Sequence, residues 1–166
     1  MPISLRFLNS VSVLLLAIAA MAVTLVVTAT AAPAADAFVS LKGRWSGGGS
    51  ASFAGGQTER LRCTARYSGS RDNLALTLKC ASPSAQISLS GDLGAAGNRV
   101  SGHWRENSFG LSGNAAGSAT ARGVRLRISG DTTGFLTLNV AGNRHTVALS
   151  SQGTSLTGVN VTLRRR

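Results

Sequence analysis

From Leu41 onward, apolar residues recur at every second position and no stretch keeps a helical spacing. Leu61, Cys63, Ala65 and Tyr67 alternate with Arg60, Arg62, Thr64 and Arg66, and Leu74, Leu76, Leu78 and Cys80 alternate with Ala75, Thr77 and Lys79. The same rhythm continues through Ile87, Leu89, Gly91 and Leu93, then Val100, Gly102 and Trp104, then Val124, Leu126 and Ile128, with further segments at Leu136 to Val140, Thr146 to Leu149 and Val159 to Leu163. A period of two places one side of each segment in a core and the other in water, which is the pattern of half-buried strands. Between the runs lie turn-forming clusters such as Gly55-Gly56, Ser82-Pro83-Ser84, Gly97-Asn98 and Gly142-Asn143. Short connections pair sequence neighbours antiparallel. About eight to ten strands with one apolar face apiece are best satisfied by a sheet that closes on itself. The expectation is therefore an all-β chain forming a single antiparallel up-and-down β-barrel. The structural alternative is a two-sheet β-sandwich, which strand spacing alone does not separate from a barrel.

The first 37 residues have a different composition. Arg6 precedes an apolar run of 17 residues, Val11 to Val27, and small residues follow through Ala37. This is the pattern of a secretory signal helix and a short linker, with cleavage expected between Ala31 and Ala37. The run falls just short of the roughly 20 residues that span hydrocarbon, so retention as an anchor is the alternative. The expected organisation is a signal segment over 1–37 and a barrel over 38–166, in a periplasmic or secreted protein.

Cys63 and Cys80 both fall on the apolar side of their strands. If they face each other, Ser70 lies opposite Asn73 and Arg71-Asp72 forms a two-residue turn. A hairpin disulfide follows, suited to an oxidising compartment. Closing a loop of this size stabilises a fold by roughly 3 kcal/mol on the chain-entropy argument. A redox-active pair would ordinarily use a C-x-x-C spacing, which is absent.

Alternation alone also fits an outer-membrane barrel, but such barrels carry aromatic girdles. Here two Trp and one Tyr are the whole supply of amphipathic aromatics, and the chain ends in Arg164-Arg165-Arg166. The apolar runs are also mostly shorter than the roughly 9 to 11 residues a lipid-spanning strand needs. A barrel outside the bilayer is expected, with no transmembrane span in its mature form.

The formal net charge is +11, from 17 Lys plus Arg against six Asp plus Glu. In an exported protein the matching partners are anionic envelope lipid, lipopolysaccharide or acidic glycan; nucleic acid lies in another compartment. Arg60, Arg62 and Arg66 share one outward strand face and Arg125 and Arg127 another, so both sets are candidate anion-binding stripes, their guanidinium forks matching phosphate and carboxylate. An ordinary solvated β surface, with cations discouraging edge pairing, is the plainer reading. The terminal arginines read as a frayed tail.

Gly43-Arg44-Trp45 opens the first strand, and Gly102-His103-Trp104 repeats its spacing. This G-x-W resembles the one in lipocalin and avidin-like barrels, a resemblance that implies a Trp closing one barrel end beneath a basic side chain. The alternative is that both Trp simply fill the core. Arg44, Trp45, Trp104 and Glu106 together form the candidate barrel mouth, with Arg44 a possible partner for an inward Glu106. Over its mature length the chain is also similar to a group of small exported bacterial proteins of unknown function. That likeness rests on Gly43-Arg44-Trp45 with Gly47, Leu61-Arg62-Cys63, Tyr67, Leu78 with Cys80-Ala81-Ser82, and Gly102 with Trp104 and Glu106; it implies an envelope protein with one disulfide.

For catalysis the available groups are His103, His145, Glu106, Asp92 and Asp131, and no motif sets a nucleophile beside a base. No catalytic residue, metal site or cofactor is expected. Gly47-Gly48-Gly49 is expected to be flexible backbone or a bulge, with no helix behind it to make an anion site. The leading expectation is a non-catalytic envelope protein that binds an anionic partner or a small ligand. The alternatives are an inhibitor of lysozyme or another enzyme, and a structural envelope subunit.

Overall fold

The computed structural model describes residues 34–166, so the apolar run and residues 31–33 of the expected cleavage region lie outside the described residues. A helix, α1 (Ala34–Leu41), leads into ten strands: β1 (Gly43–Phe53), β2 (Thr58–Gly69), β3 (Asn73–Ala81), β4 (Gln86–Ala96), β5 (Arg99–Glu106), β6 (Leu111–Thr120), β7 (Gly123–Gly130), β8 (Thr133–Ala141), β9 (Arg144–Gln152) and β10 (Leu156–Arg165). Each strand pairs antiparallel with its sequence neighbours, and β1 pairs with β10, which closes the ring. The barrel is therefore up-and-down, as the alternation implies, and the sandwich is set aside. Every strand has two partners, so the unit that contains them, Ala31–Arg166, has no sheet edge left to be completed from outside.

The β2–β3 hairpin has the anticipated register. Cys63 is the cross-strand partner of Cys80, and the two form a disulfide with Cα atoms 4.1 Å apart. The Ser70 N–H donates to the Asn73 carbonyl at 2.9 Å across the Arg71-Asp72 turn. The Ser70 hydroxyl accepts from the N–H groups of Asp72 and Asn73 at 3.2 and 3.1 Å, which locks that turn.

Gly47-Gly48-Gly49 is neither a bulge nor loose. All three lie in regular register within β1, with Gly47 opposite Leu163 and Cys63, and Gly49 opposite Val161 and Leu61. A Cβ on Gly47 would sit 2.1 Å from the Thr162 carbonyl oxygen, and one on Gly49 1.8 Å from that of Asn160. The glycines let β1 coil tightly against β10 where the ring shuts.

The terminal arginines also depart from expectation. Strand β10 runs through Arg165, whose N–H donates to the Asn143 carbonyl at 2.9 Å, and the Arg166 N–H donates to the Arg44 carbonyl at 2.9 Å. They are held by backbone pairing rather than frayed.

Up-and-down order gives the barrel two distinct ends. One holds α1 and the β2–β3, β4–β5, β6–β7 and β8–β9 turns; the other holds the β1–β2, β3–β4, β5–β6, β7–β8 and β9–β10 turns. Helix α1 buries Ala34, Ala37, Phe38 and Leu41 completely, stoppering the first end, and the Ala34 N–H donates to the Gly97 carbonyl at 3.1 Å. It spans the residue 37/38 boundary drawn from composition. Among the described residues no helix is long and apolar enough to cross a membrane.

Candidate functional site

Beneath the second end the barrel is hollow. A cavity of about 360 Å³ opens there, lined by inward residues of nearly every strand, including Leu78, Ile87, Leu126, Leu136, Val147 and Leu149, with Phe53 and Phe109 at the rim. These positions exist because alternate residues of each strand turn inward. Several of them, Leu78, Ile87, Leu136, Val147 and Leu149, remain only half-buried because they border the open lumen, whereas Leu126 is buried. The volume lies at the small end of the range for ligand pockets, roughly 300 to 1,000 Å³.

Most polar side chains of the lining are already hydrogen-bonded within the protein. Trp104 Nε1–H donates to the carbonyls of Asn114 and Ser129 at 3.2 and 3.3 Å. Its ring needs the space left by its cross-strand neighbour Gly113, where a Cβ would come within 2.9 Å of Nε1. The Ser151 hydroxyl donates to the Leu156 carbonyl at 2.5 Å, and that of Thr154 to the same oxygen at 3.0 Å. Glu106 accepts from the N–H groups of Ser88, Ser108 and Phe109 at 2.7, 3.1 and 2.7 Å, clasping the β5–β6 turn to β4. Burial pushes its pKa up, but the Ser88, Phe109 and Ser108 amides outweigh that and hold the carboxyl below its ordinary range. The lining therefore offers a guest apolar contact and few free hydrogen-bonding groups.

At the stoppered end the packing is dense. Trp45 is buried, and its Nε1–H donates to the Leu41 carbonyl at 2.7 Å, tying β1 to α1. The Arg165 guanidinium lies 4.4 Å over the Trp45 ring and donates to the carbonyls of Lys42 and Ser40. A Trp closing one end beneath a basic side chain is what the G-x-W resemblance implies; the cation is Arg165. His145 packs edge-on against Trp45, ring centroids 4.6 Å apart, and against Tyr67 at 5.5 Å. It is 1% exposed, and neither ring nitrogen has a hydrogen-bond partner. Burial and then the Arg165 charge push its pKa down to about 4. Burial also pushes the Tyr67 phenol up.

The residues grouped as a barrel mouth therefore separate. Trp104 and Glu106 lie on the open half of β5, whereas Arg44 and Trp45 belong to the stoppered end, and Glu106 is satisfied by amides rather than by Arg44. The two basic stripes, read as faces of two different strands, lie on opposite sides of the ring. Arg60, Arg62 and Arg66 on β2 and Arg125 and Arg127 on β7 all face outward and exposed, but β2 and β7 stand five strands apart in either direction around the ring. Parity locates each side chain on a face, but strand order around the ring decides which faces are neighbours. Arg127 instead stacks on exposed Phe135 at 5.5 Å. The groups considered for catalysis are dispersed too. His103 and Asp92 are cross-strand neighbours on the outer wall, Asp131 accepts from the Ser112 N–H at 2.8 Å, and His145 is sealed at the far end.

No protein-family model matches the chain, and no curated protein matches it. Among solved structures it is similar to the crystal structure of Rv2717c from M. tuberculosis, with a TM-score of 0.65 and 16% sequence identity, over 82% of this chain and 99% of that one. At this identity the likeness is one of fold: a closed barrel, which in this chain has ten strands and one disulfide.

Proposed function

We propose that this protein is a non-catalytic exported binding protein that takes a small, predominantly apolar molecule into the barrel through the open end. The observation that carries this reading is a hollow lumen lined mainly by aliphatic side chains, with most of its polar side chains already hydrogen-bonded within the protein. A polar guest would leave its own donors and acceptors unpaired in such a space, whereas an apolar one gains roughly 25 cal/mol for each Å² removed from water. The cross-strand disulfide supports export, since such bonds persist in oxidising compartments. The inhibitor reading loses ground because the acids near the open end, Glu59, Glu106 and Asp131, are scattered and each hydrogen-bonded to the protein's own Ser84, Ser88 or Ser112 rather than gathered on an acidic loop.

The experiment is a titration with the apolar dye N-phenyl-1-naphthylamine, followed by competition with fatty acids and other apolar molecules. Trp104 lines the cavity and Trp45 does not, so Trp45→Phe isolates a tryptophan reporter of occupancy. Saturable dye binding should be lost in Leu149→Trp, which fills the lumen, without loss of the folded far-ultraviolet spectrum. Equal binding by Leu149→Trp and the parent would overturn the proposal.

A further inference from the structure

The cations are distributed unevenly along the barrel axis. Arg71 and Arg122 occupy turns at the stoppered end, Arg99 and Arg144 open β5 and β9 there, and Arg44 and Arg66 lie on adjacent strands beside them; all six are exposed. Lys42 and the arginines closing β10 complete a collar. None of the five turns around the open end contains a Lys or Arg. Within the collar Arg44 is the direct cross-strand partner of Arg66, and Arg144 of Arg164. Like charges set opposite one another destabilise a sheet. The acids do little to offset them: among the described residues the one ion pair is Arg71 with Asp36, at 3.5 Å.

We propose that this collar docks the stoppered end of the barrel on a membrane surface rich in anionic phospholipid, leaving the open end directed away from the bilayer. Charge complementarity argues for the occupant, because several cations gathered around one end can meet an anionic surface together. Exposed Val39, on α1, adds an apolar contact at the same end. The inference is independent of what occupies the cavity.

The test compares sedimentation of the Ala31–Arg166 unit with vesicles of phosphatidylcholine alone and of phosphatidylcholine with phosphatidylglycerol, at low salt and at about 500 mM salt, where screening collapses the field. Binding should require the anionic lipid and fall with salt. Arg44→Glu combined with Arg144→Glu should weaken it by more than about 20-fold, at roughly five-fold per cation removed. The same pair places a carboxylate opposite Arg66 and Arg164, so resistance to denaturant should hold or rise, which separates lost docking from lost folding. Arg62→Glu with Arg127→Glu changes net charge equally on the barrel wall and should cost less than about three-fold. Equal loss in the wall pair would show a response to net charge alone and overturn the proposal. So would equal binding to neutral vesicles, or abolition of binding by Phe109→Ser with Phe135→Ser, which would make the open end the docking surface. Dye binding in the cavity should be unchanged in the collar pair, so failure here and failure of the cavity reading are told apart.

Discussion

The two ends of this barrel are built from the same alternating strands and solve opposite problems. At the stoppered end Phe38, Leu41, Trp45, His145 and Leu163 are all at most 1% exposed, and α1 supplies apolar volume the strands alone would lack. At the open end many of the inward residues, such as Leu136, Val147 and Leu149, are only half-buried around a cavity. Ring closure sets the diameter, and ten strands enclose more space than their own side chains fill. A closed sheet thus does not by itself make a core. Here a helix, an aromatic pair and a cation complete the packing at one end, while the other keeps a cavity.

That contrast can be broken at the two tryptophans. Trp45→Ala should cost about 4 kcal/mol in chemical denaturation, the usual penalty for deleting a fully packed aromatic, whereas Trp104→Ala should cost about 1–2 kcal/mol because its ring already borders empty space. Equal costs would erase the distinction between the ends. His145 sharpens it with pH. The unfolded chain protonates this imidazole near 6.5 and the folded barrel only near 4, so between those values the unfolded state binds the extra proton. Stability should therefore be full above pH 6.5 and fall as the pH drops toward 4, by on the order of 3 kcal/mol. His145→Phe should flatten that slope in denaturation curves taken across the interval. The smallest effect is expected at Arg165→Gln, which removes the cation from the Trp45 ring and should lower stability by about 1 kcal/mol in the same measurement.

Most of the wall was legible because leucine, valine and isoleucine mark the inward face at every second residue. The hairpin register followed from two cysteines of matching parity and a turn that admits two residues. Strand β6 was not legible as alternation. Its sequence, Leu111 to Thr120, is mostly Gly, Ala and Ser, and although Ala115 and Ala119 are buried, alanine among glycine and serine carries too little hydrophobic contrast to show a period. Helix α1 was hidden for a different reason: its small residues Ala34 and Ala37 resemble those a signal peptidase reads, and only Phe38 and Leu41 hint at a packed face. At the sites, parity gave the orientation of Trp104, Glu106 and the arginines. It could not say which end of the barrel a residue approaches, so Arg44 and Trp45 read as companions of Trp104 and Glu106, nor how far around the ring two strands lie.

The junction of β1 with β10 also determines how the molecule would yield to mechanical load. Antiparallel hydrogen bonds lie perpendicular to their strands, and Gly43 and Arg165 enter and leave the ring side by side. A pull applied between α1 and Arg166 would therefore open the seam as a zipper, one pair at a time, and would not shear all its bonds together. The bonds of Arg166 to Arg44 and Ser46 and the Arg165 clasp over Trp45 are the first teeth, so the barrel would meet tension with a few contacts at a time and never with the whole seam.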